Sequence, residues 1–365
     1  GVLIYLLGRK LFSRELPALL GAVLFLVHPL TVEVVANISH RKESLSLAFS
    51  LLSLLVFGWA HRSEKSKRLI FFLSSFLLYL VACTAKQNAF LVPLLWLAYE
   101  YRFVASGKRV LAITSPRNSL IILFCAGCIA YLWKLIAMGG MGALQLHAWK
   151  AISRMDLYPK PDFVDYVHLL LKPWGTMLAK IVWPINLAPE YSIQAPATWH
   201  EFPVLLAIIT SALVVIALYR SSRQHESNVF FALLWCLTFW LPVSNLWPAA
   251  ALAADRYWYA ILPGLIYLFL QATKTLFESH RTITAAIITS LCLVSATLSF
   301  QQSQYWRTNA LLWQRAVTVS PQSSVANHNM GVTLYLNGEV EPALEYLHKS
   351  VSLYPYKKIG YYNLS

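Results

Sequence analysis

The chain is built mainly from long apolar runs separated by short polar turns, and this pattern limits what it can fold into. Runs of about 20 apolar residues can cross the roughly 30 Å hydrocarbon core of a bilayer. Of the 365 residues, 58% are hydrophobic and 13% are charged, whereas about 25% are charged in a typical soluble domain. The pattern therefore predicts an all-α, polytopic bundle of transmembrane helices.

The predicted spans combine length with few charges. They lie near residues 16–28, 44–60, 69–85, 88–103, 119–137, 203–219, 229–247, 258–273 and 283–300. The chain opens with Gly1 inside a further apolar run, so we expect its true N-terminus to be missing.

Lysine and arginine are distributed unevenly between the short loops on the two sides of the predicted bundle. Fifteen lie on one side and only four, Arg41, Lys42, Lys86 and Arg256, lie in the opposite short loops. Short basic loops stay in the cytoplasm, so the first side is predicted to be cytoplasmic. The net charge of +14 is then explained by topology, without nucleic acid as a partner.

Alternation of the spans places four segments and the tail on the external side. The segments are 28–43, the turn at Lys86, the long loop of about 138–201, and 244–257. Within the long loop, residues 165–185 are amphipathic and carry Trp174 and Trp183. Because both flanks of this stretch must be external, we expect a helix that lies along the interface or re-enters the membrane.

From residue 301 onward the chain is more polar and matches itself at a spacing of 34 residues. The matches are Trp313 with Leu347, Ala316 with Ser350, Val319 with Leu353 and Pro321 with Pro355. Thirty-four residues is the tetratricopeptide length, so we predict a transmembrane domain at 1–300 and the start of an extracytoplasmic tetratricopeptide array at 301–365. An ordinary helical hairpin is the alternative. So few repeats cannot bury their own apolar face, so more are expected to follow.

Within the second unit, five residues match the needs of such a repeat. They are Gly331 for a close helix crossing, Leu334 for packing, Gly338 for the turn, Ala343 as a small residue and Leu347 as a knob.

Ionisable residues gather at the predicted external ends of the helices, where they are costly unless paired or functional. One turn contains His28, Glu33, His40, Arg41, Lys42 and Glu43. Such a set could hold a diphosphate, a sugar hydroxyl or a divalent cation. Alternatively, the carboxylates simply neutralise Arg41.

Two more external cations are Lys86, at the end of a helix, and Arg256, in the string Asp255-Arg256-Tyr257. Lysine and arginine at the lipid boundary suit a lipid-linked phosphate, although snorkelling to lipid headgroups explains either one singly. All five cysteines lie in apolar runs and predict neither a disulfide framework nor a zinc site.

Three segments together resemble a known family. HPLTVEVVA at 28–36, continued by SHRKESL at 39–45, resembles the H-P-x-x-x-E-x-V-A…G-R-x-x-L segment of the transmembrane and tetratricopeptide-repeat O-mannosyltransferases, in the type C glycosyltransferase superfamily. TAKQ at 84–87 resembles their C-K-E-x-G turn, and ADRYWYAILP at 254–263 resembles their A-E-R-x-L-Y-L-P segment. The resemblance spans nearly the whole chain.

The resemblance implies transfer of a sugar, mannose in that family, from a dolichyl or undecaprenyl phosphate donor to a protein or other acceptor. It implies contacts to the donor phosphate by Arg256, Lys86 and Arg41. The implied pocket residues are His28, Glu33, Glu43, Asp255 and Tyr257. The membrane would be a bacterial inner membrane or the endoplasmic reticulum, with the repeats presenting acceptor polypeptide on the periplasmic or lumenal side.

The sequence departs from the family pattern at two positions. Thr31 stands where a second histidine is frequent and Gln87 where a glutamate is, which leaves a metal or acid role open. The general base is expected after a helix N-terminal to this chain, so we expect the chain alone to be inactive. A non-enzymatic membrane scaffold that presents repeats for protein binding is the alternative function.

Overall fold

A computed structural model describes residues 1–12, 14–100, 163–193, 198–223, 227–246 and 251–355 of the chain. Every regular element within these ranges is a helix, so the all-α prediction is confirmed there. The predicted span at 119–137, residues 138–162 of the long loop and the start of a third repeat at 361–365 lie outside the described residues.

The described residues up to position 100 form six α-helices. They are α1 (Val2–Phe12), α2 (Glu15–Val27), α3 (Val32–Ala36), α4 (Arg41–Ala60), α5 (Lys65–Ala85) and α6 (Val92–Tyr99). Short 3-10 turns at Pro29–Thr31, Ile38–His40 and Gln87–Leu91 connect α2 to α3, α3 to α4 and α5 to α6.

Nine further α-helices follow in the described part of the chain. They are α7 (Phe163–Val182), α8 (Phe202–Arg223), α9 (Ser227–Trp240), α10 (Leu262–Ala272), α11 (Lys274–Ser279), α12 (Arg281–Gln304), α13 (Asn309–Val319), α14 (Ser324–Leu336) and α15 (Val340–Leu353). Two 3-10 turns, Leu241–Val243 and Asp255–Tyr257, lie between α9 and α10.

Four helical segments are long and apolar enough to cross a membrane: 38–60, 65–85, 202–222 and 281–304. A fifth candidate is α2 together with Pro29–Ala36, bent by 55°. The bend follows from Pro29, because a residue before proline is pushed out of the helical region, and His28 has an extended ψ of 130°. These helices agree with the predicted multi-pass membrane protein.

Three predicted spans differ from the observed helices at their ends. The span at 88–103 begins with a 3-10 turn, and α6 starts at Val92 with Pro93 in its first turn. The span at 229–247 loses α-helical geometry after Trp240, where Pro242 follows. The span at 258–273 becomes α10 only at Leu262, with Pro263 in its first turn. Proline favours the first turn of a helix and interrupts its interior, which explains the shifts.

The bundle packs around large aromatic side chains and a few small polar ones. Trp96 and Trp235 are fully buried, and the Phe57 ring stacks on Trp96 with centroids 5.6 Å apart. Between α4 and α5, the Ser53 and Ser75 hydroxyls donate to each other's carbonyls at 2.8 Å. Small residues with interhelical hydrogen bonds are typical of close helix packing in membranes.

The loops assigned to the cytoplasm meet at one end of the bundle. Lys10 Nζ donates to Tyr99 Oη at 3.1 Å, and Asn228 Nδ2 donates to the Leu11 carbonyl at 2.8 Å. Arg14 pairs with Glu278 at 3.4 Å. The ionisable turns assigned to the external side meet at the other end of α4. This grouping matches the alternation of spans, and the compartment at each end stays a prediction.

The described part of the tail contains a helical hairpin made by α14 and α15. Gly338 turns the chain with a φ of +86°, a left-handed value that glycine adopts without steric cost. At Gly331 an added Cβ would lie 2.7 Å from Leu347 Cγ, and Leu334 and Ala343 are buried. The five residues thus occupy the predicted places, while the tetratricopeptide assignment itself stays a prediction.

Candidate functional site

Glu33 and Arg256 form a buried ion pair at the end of the bundle away from the basic loops. The bend at Pro29 directs α3 across the bundle, and Glu33 on α3 is only 2% exposed. Arg256, in the turn Asp255–Tyr257, donates its backbone N–H to Glu33 Oε2 at 2.8 Å and Nη1–H to Oε1 at 2.7 Å. Two charge-assisted hydrogen bonds fix both the backbone and the side chain of Arg256.

A second pair, between Lys86 and Glu43, lies beside the first. Glu43 is 3% exposed in the first turn of α4, and Lys86 Nζ contacts its Oε1 directly. Lys86 follows α5 in extended conformation, which turns its side chain back toward α4. Burial and the positive charges of Arg256 and Lys42 lower the pKa of Lys86, and the negative charge of Glu33 opposes that shift.

Tyr257 lies between the two pairs. Its ring centroid is 5.7 Å from Lys86 Nζ and 5.1 Å from Arg256 Cζ, within the range of cation–π attraction. His40 Nδ1 lies 3.4 Å from Glu33 Oε1. We call Glu33, His40, Glu43, Lys86, Arg256 and Tyr257 the ionic cluster.

Asp255 immediately precedes Arg256 of the ionic cluster and is held by a residue of the long loop. Tyr191 Oη donates to Asp255 Oδ1 at 2.7 Å, and Asp255 is 2% exposed. Burial, with a smaller contribution from the Glu33 charge, raises the pKa of Asp255 to about 8, although the bond from Tyr191 acts in the opposite direction.

Two of the residues predicted for the site stand apart from the ionic cluster. Both ring nitrogens of His28 are engaged: Nδ1 accepts from the Leu30 N–H at 3.3 Å and Nε2 donates to the Ile181 carbonyl at 3.2 Å. His28 thus caps the turn after α2 and joins it to α7. Arg41 is exposed at the start of α4 and takes no part in the contacts above, so its phosphate role stays a prediction.

Sequence reasoning did not find Tyr191 or Lys180. Both belong to the long loop region, whose mixed charges resemble an ordinary solvated loop. Lys180 Nζ donates to the Asn186 carbonyl at 2.8 Å and lies 4.7 Å from the Tyr191 ring centroid. The one sequence signal was the amphipathic stretch, which predicted a helix at 165–185 and corresponds to α7.

An aromatic hollow opens next to Tyr257. It is shallow, with a cavity volume of about 20 Å³, and lies between α7, the turn after α9 and the Asp255–Tyr257 turn. Trp174 stacks on Trp258 at 4.8 Å and meets Trp240 edge-on at 4.9 Å. The end of the bundle that carries the ionic cluster therefore offers an apolar surface beside paired charges.

No metal site accompanies these residues in the part of the chain that the structure describes. There, no group of three or more histidine, cysteine, aspartate or glutamate side chains is arranged to hold an ion. The predicted divalent cation stays open, since neither the structure nor the relatives test it.

Comparison with known proteins gives no matching family model and no matching solved structure. The chain is 24% identical to protein O-mannosyl-transferase F38B6.6 of Caenorhabditis elegans, over 96% of this chain and 48% of that protein. It is 24% identical to human protein O-mannosyl-transferase TMTC4, over 93% of this chain and 49% of that protein. It is 22% identical to human protein O-mannosyl-transferase TMTC1, over 97% of this chain and 44% of that protein.

The chain spans about half the length of the curated relatives it matches. These relatives confirm the resemblance that the segments around Glu33, Lys86 and Arg256 indicated: over nearly its whole length, the chain is similar to curated proteins named protein O-mannosyl-transferases.

Proposed function

We propose that the chain forms the membrane part of a glycosyltransferase that moves mannose from a polyprenyl phosphate to a protein or other acceptor on the extracytoplasmic side. The names of the relatives support transfer of mannose to protein. The lipid donor, the compartment and presentation of the acceptor by the tail are parts of the proposal that the resemblance implies.

The ionic cluster is the observation that carries this proposal. Arg256 and Lys86 approach one tyrosine ring at the end of apolar helices, where the phosphate of a lipid would lie. Arginine offers a planar fork of donors to phosphate oxygens and lysine offers a point charge. The Arg256 side chain is 17% exposed, so a ligand can reach it while Glu33 holds it in orientation.

The aromatic hollow supports the same donor. A polyprenyl phosphate joins a long hydrocarbon chain to an anionic head, and it needs an apolar surface next to cations. The hollow lined by Trp174, Trp240 and Trp258 lies beside Tyr257, so both surfaces are adjacent.

The reaction we propose is a single displacement. The acceptor hydroxyl oxygen attacks the anomeric carbon of mannose, and the bond between that carbon and the phosphate oxygen breaks. The electron pair leaves with the polyprenyl phosphate, whose negative charge Arg256 and Lys86 stabilise. A carboxylate accepts the hydroxyl proton, and the configuration at the anomeric carbon inverts.

The test uses full-length protein in membrane vesicles with radiolabelled polyprenyl phosphate mannose and an acceptor polypeptide. We expect Arg256→Ala to lower transfer by about 10²- to 10³-fold, a typical loss when a group that stabilises developing charge is removed. Arg281→Ala is the matched control, since Arg281 is exposed at the opposite end of the bundle, and it should transfer normally. Unchanged transfer by both Arg256→Ala and Glu33→Ala would remove the site assignment.

A scaffold without catalysis is the second candidate, and one observation favours it. Lys86 and Arg256 are each paired with a buried carboxylate, and buried pairs also occur for purely structural reasons. A scaffold predicts no transfer by the wild-type full-length protein with any polyprenyl phosphate sugar, together with retained binding of partners by the tail.

A further inference from the structure

The first tail helix, α13, is held against the bundle by polar contacts to residues 186–192, which we call the bridging segment. Arg315 on α13 donates Nε–H to the Leu187 carbonyl at 3.2 Å and Nη2–H to Asn186 Oδ1 at 3.4 Å. Ser320, just after α13, donates Oγ–H to the Glu190 carbonyl at 3.1 Å and accepts from the Ser192 N–H at 3.3 Å. Four contacts thus join the tail to the bridging segment.

The apolar residues of α13 contact two different cores. Val319 packs against the core of the membrane bundle, whereas Trp313 and Val317 pack against the tail core built on Met330, Leu334 and Ala343. Since α13 contributes to both cores, its position relative to the bundle is fixed by packing as well as by hydrogen bonds.

The bridging segment in turn contacts the residue next to Arg256. Leu187 and Ala188 are 1% exposed, so the segment is anchored in the bundle core. Tyr191 Oη accepts from the Ala188 N–H at 3.1 Å and donates to Asp255 Oδ1 at 2.7 Å. Asp255 begins the turn that gives the Arg256 N–H to Glu33. One continuous set of contacts therefore runs from the tail to the ionic cluster.

We propose that Tyr191 is a positioning residue for Arg256, and that Arg315 and Ser320 hold Tyr191 in place, so that the first tail helix is part of the site. This proposal deepens the proposed function. It rests on that function in one respect, the binding of the donor phosphate by Arg256. Displacements of about 1 Å are enough to impair a reacting geometry, so the second set of contacts around Arg256 matters for the rate.

The structural part of the proposal is tested by hydrogen exchange on the purified full-length protein, without any transfer assay. We expect Tyr191→Phe, Arg315→Ala and Ser320→Ala to speed exchange in the peptide covering 254–258. The expected factor is about fivefold, the change in an opening equilibrium when a hydrogen bond of typical strength is lost. Exchange in the hairpin at 324–353 should stay unchanged.

Two variants serve as matched controls. Thr318→Ala removes a hydroxyl from α13 that donates to the Gln314 carbonyl in the same helix, at 2.8 Å. Tyr335→Phe removes a phenol hydroxyl from an exposed tyrosine of the hairpin. Both should leave exchange at 254–258 unchanged. If Arg315→Ala does not fold, Arg315→Lys and Ser320→Ala decide the matter.

Unchanged exchange at 254–258 in Tyr191→Phe and the Arg315 variants would overturn the proposal. Faster exchange throughout the protein would also overturn it, because that result indicates general destabilisation and not positioning of one turn.

The transfer assay supplies the second readout. A positioning role predicts that Tyr191→Phe raises KM for the lipid donor and lowers kcat, with KM for the acceptor unchanged. The double variant Tyr191→Phe with Arg315→Ala should transfer about as well as the less active of the two single variants, because both changes act through one set of contacts. Independent, multiplying effects would contradict the proposal. If the wild type transfers nothing, the proposed function fails, and the exchange experiment still decides the role of Tyr191.

Discussion

Glu33 contacts both Arg256 and His40 of the ionic cluster, and this makes its removal informative. It accepts two hydrogen bonds from Arg256 and lies near His40, with 2% of its surface exposed. Breaking a buried pair by deleting one partner leaves an uncompensated charge and costs about 3–5 kcal/mol. The stability of the site end therefore depends on this carboxylate.

We expect Glu33→Ala to lower the free energy of unfolding by about 3 kcal/mol, toward the smaller end of that range because Arg256 is partly exposed. Denaturant titration in mixed micelles measures it. Glu15→Ala is the control, since its pair with Arg9 is exposed and such pairs contribute about 0–1 kcal/mol. The double variant Glu33→Ala with Arg256→Met should recover part of the loss; a double variant less stable than Glu33→Ala would show that the charge was not the cause.

Asp255 gives the site a dependence on pH. Burial and the Glu33 charge raise the pKa of Asp255 to about 8 in the folded protein, from 3.8. Between about pH 4 and pH 8, Asp255 therefore keeps its proton in the folded state and loses it in the unfolded state. By linkage, the Asp255 contribution to stability is fully present below about pH 4 and is lost as pH rises toward 8. Burial lowers the pKa of Lys180, so the Lys180 contribution to stability changes with pH in the opposite direction. The experiment must therefore separate the effect of Asp255 from that of Lys180.

We therefore expect the melting temperature of the full-length protein to fall between pH 6 and pH 8, and to fall less steeply in Asp255→Asn than in the wild type. The difference between wild type and variant isolates the aspartate from Lys180, Tyr191, Glu33 and Arg256, which all face it. Glu345→Gln, an exposed carboxylate of the hairpin, should keep the wild-type slope. Parallel curves for wild type and Asp255→Asn would mean that Asp255 is ionised throughout this range.

At the scale of elements, the helices could be predicted and their partners could not. Hydropathy reports whether a segment is apolar, so it located the segments that became α4, α5, α8 and α12. It does not report which turns meet: Glu33 and Arg256 are 223 residues apart, and no periodicity links them. The resemblance placed both residues in one site, whereas Tyr191, in a loop without periodic pattern, was missed. Proline set the helix ends that the apolar pattern misplaced.

The hairpin of α14 and α15 allows a test of an element predicted from its sequence. At Gly331 a side chain would meet Leu347 and the Ala343 carbonyl within about 3 Å. We expect Gly331→Leu to destabilise the hairpin by about 1–3 kcal/mol, the usual cost of overpacking, and to speed proteolysis within 324–353. Leu336→Ala is the control because Leu336 is 76% exposed. Equal cleavage of both variants would argue against a close helix crossing.

At the scale of the whole molecule, the contacts constrain the topology. The turns that carry Glu33, Lys86 and Arg256 meet in the ionic cluster, and α13 reaches the same end through the bridging segment. The loops around residues 10, 62 and 278 lie at the other end of the bundle. We therefore expect the tail and the site to share one side of the membrane and the basic loops to face the other side.

Single cysteines in a background without the five native cysteines test this arrangement in sealed membranes with an impermeant maleimide. Ile38→Cys and Glu345→Cys, both at exposed positions, should react from the same side. Lys67→Cys, exposed in the basic first turn of α5, should react only from the opposite side. Glu345→Cys also reports on the side of the membrane that the hairpin of α14 and α15 occupies. If Ile38→Cys and Glu345→Cys react from opposite sides, α13 cannot contact the bridging segment, and a site shared by the tail and Arg256 is excluded.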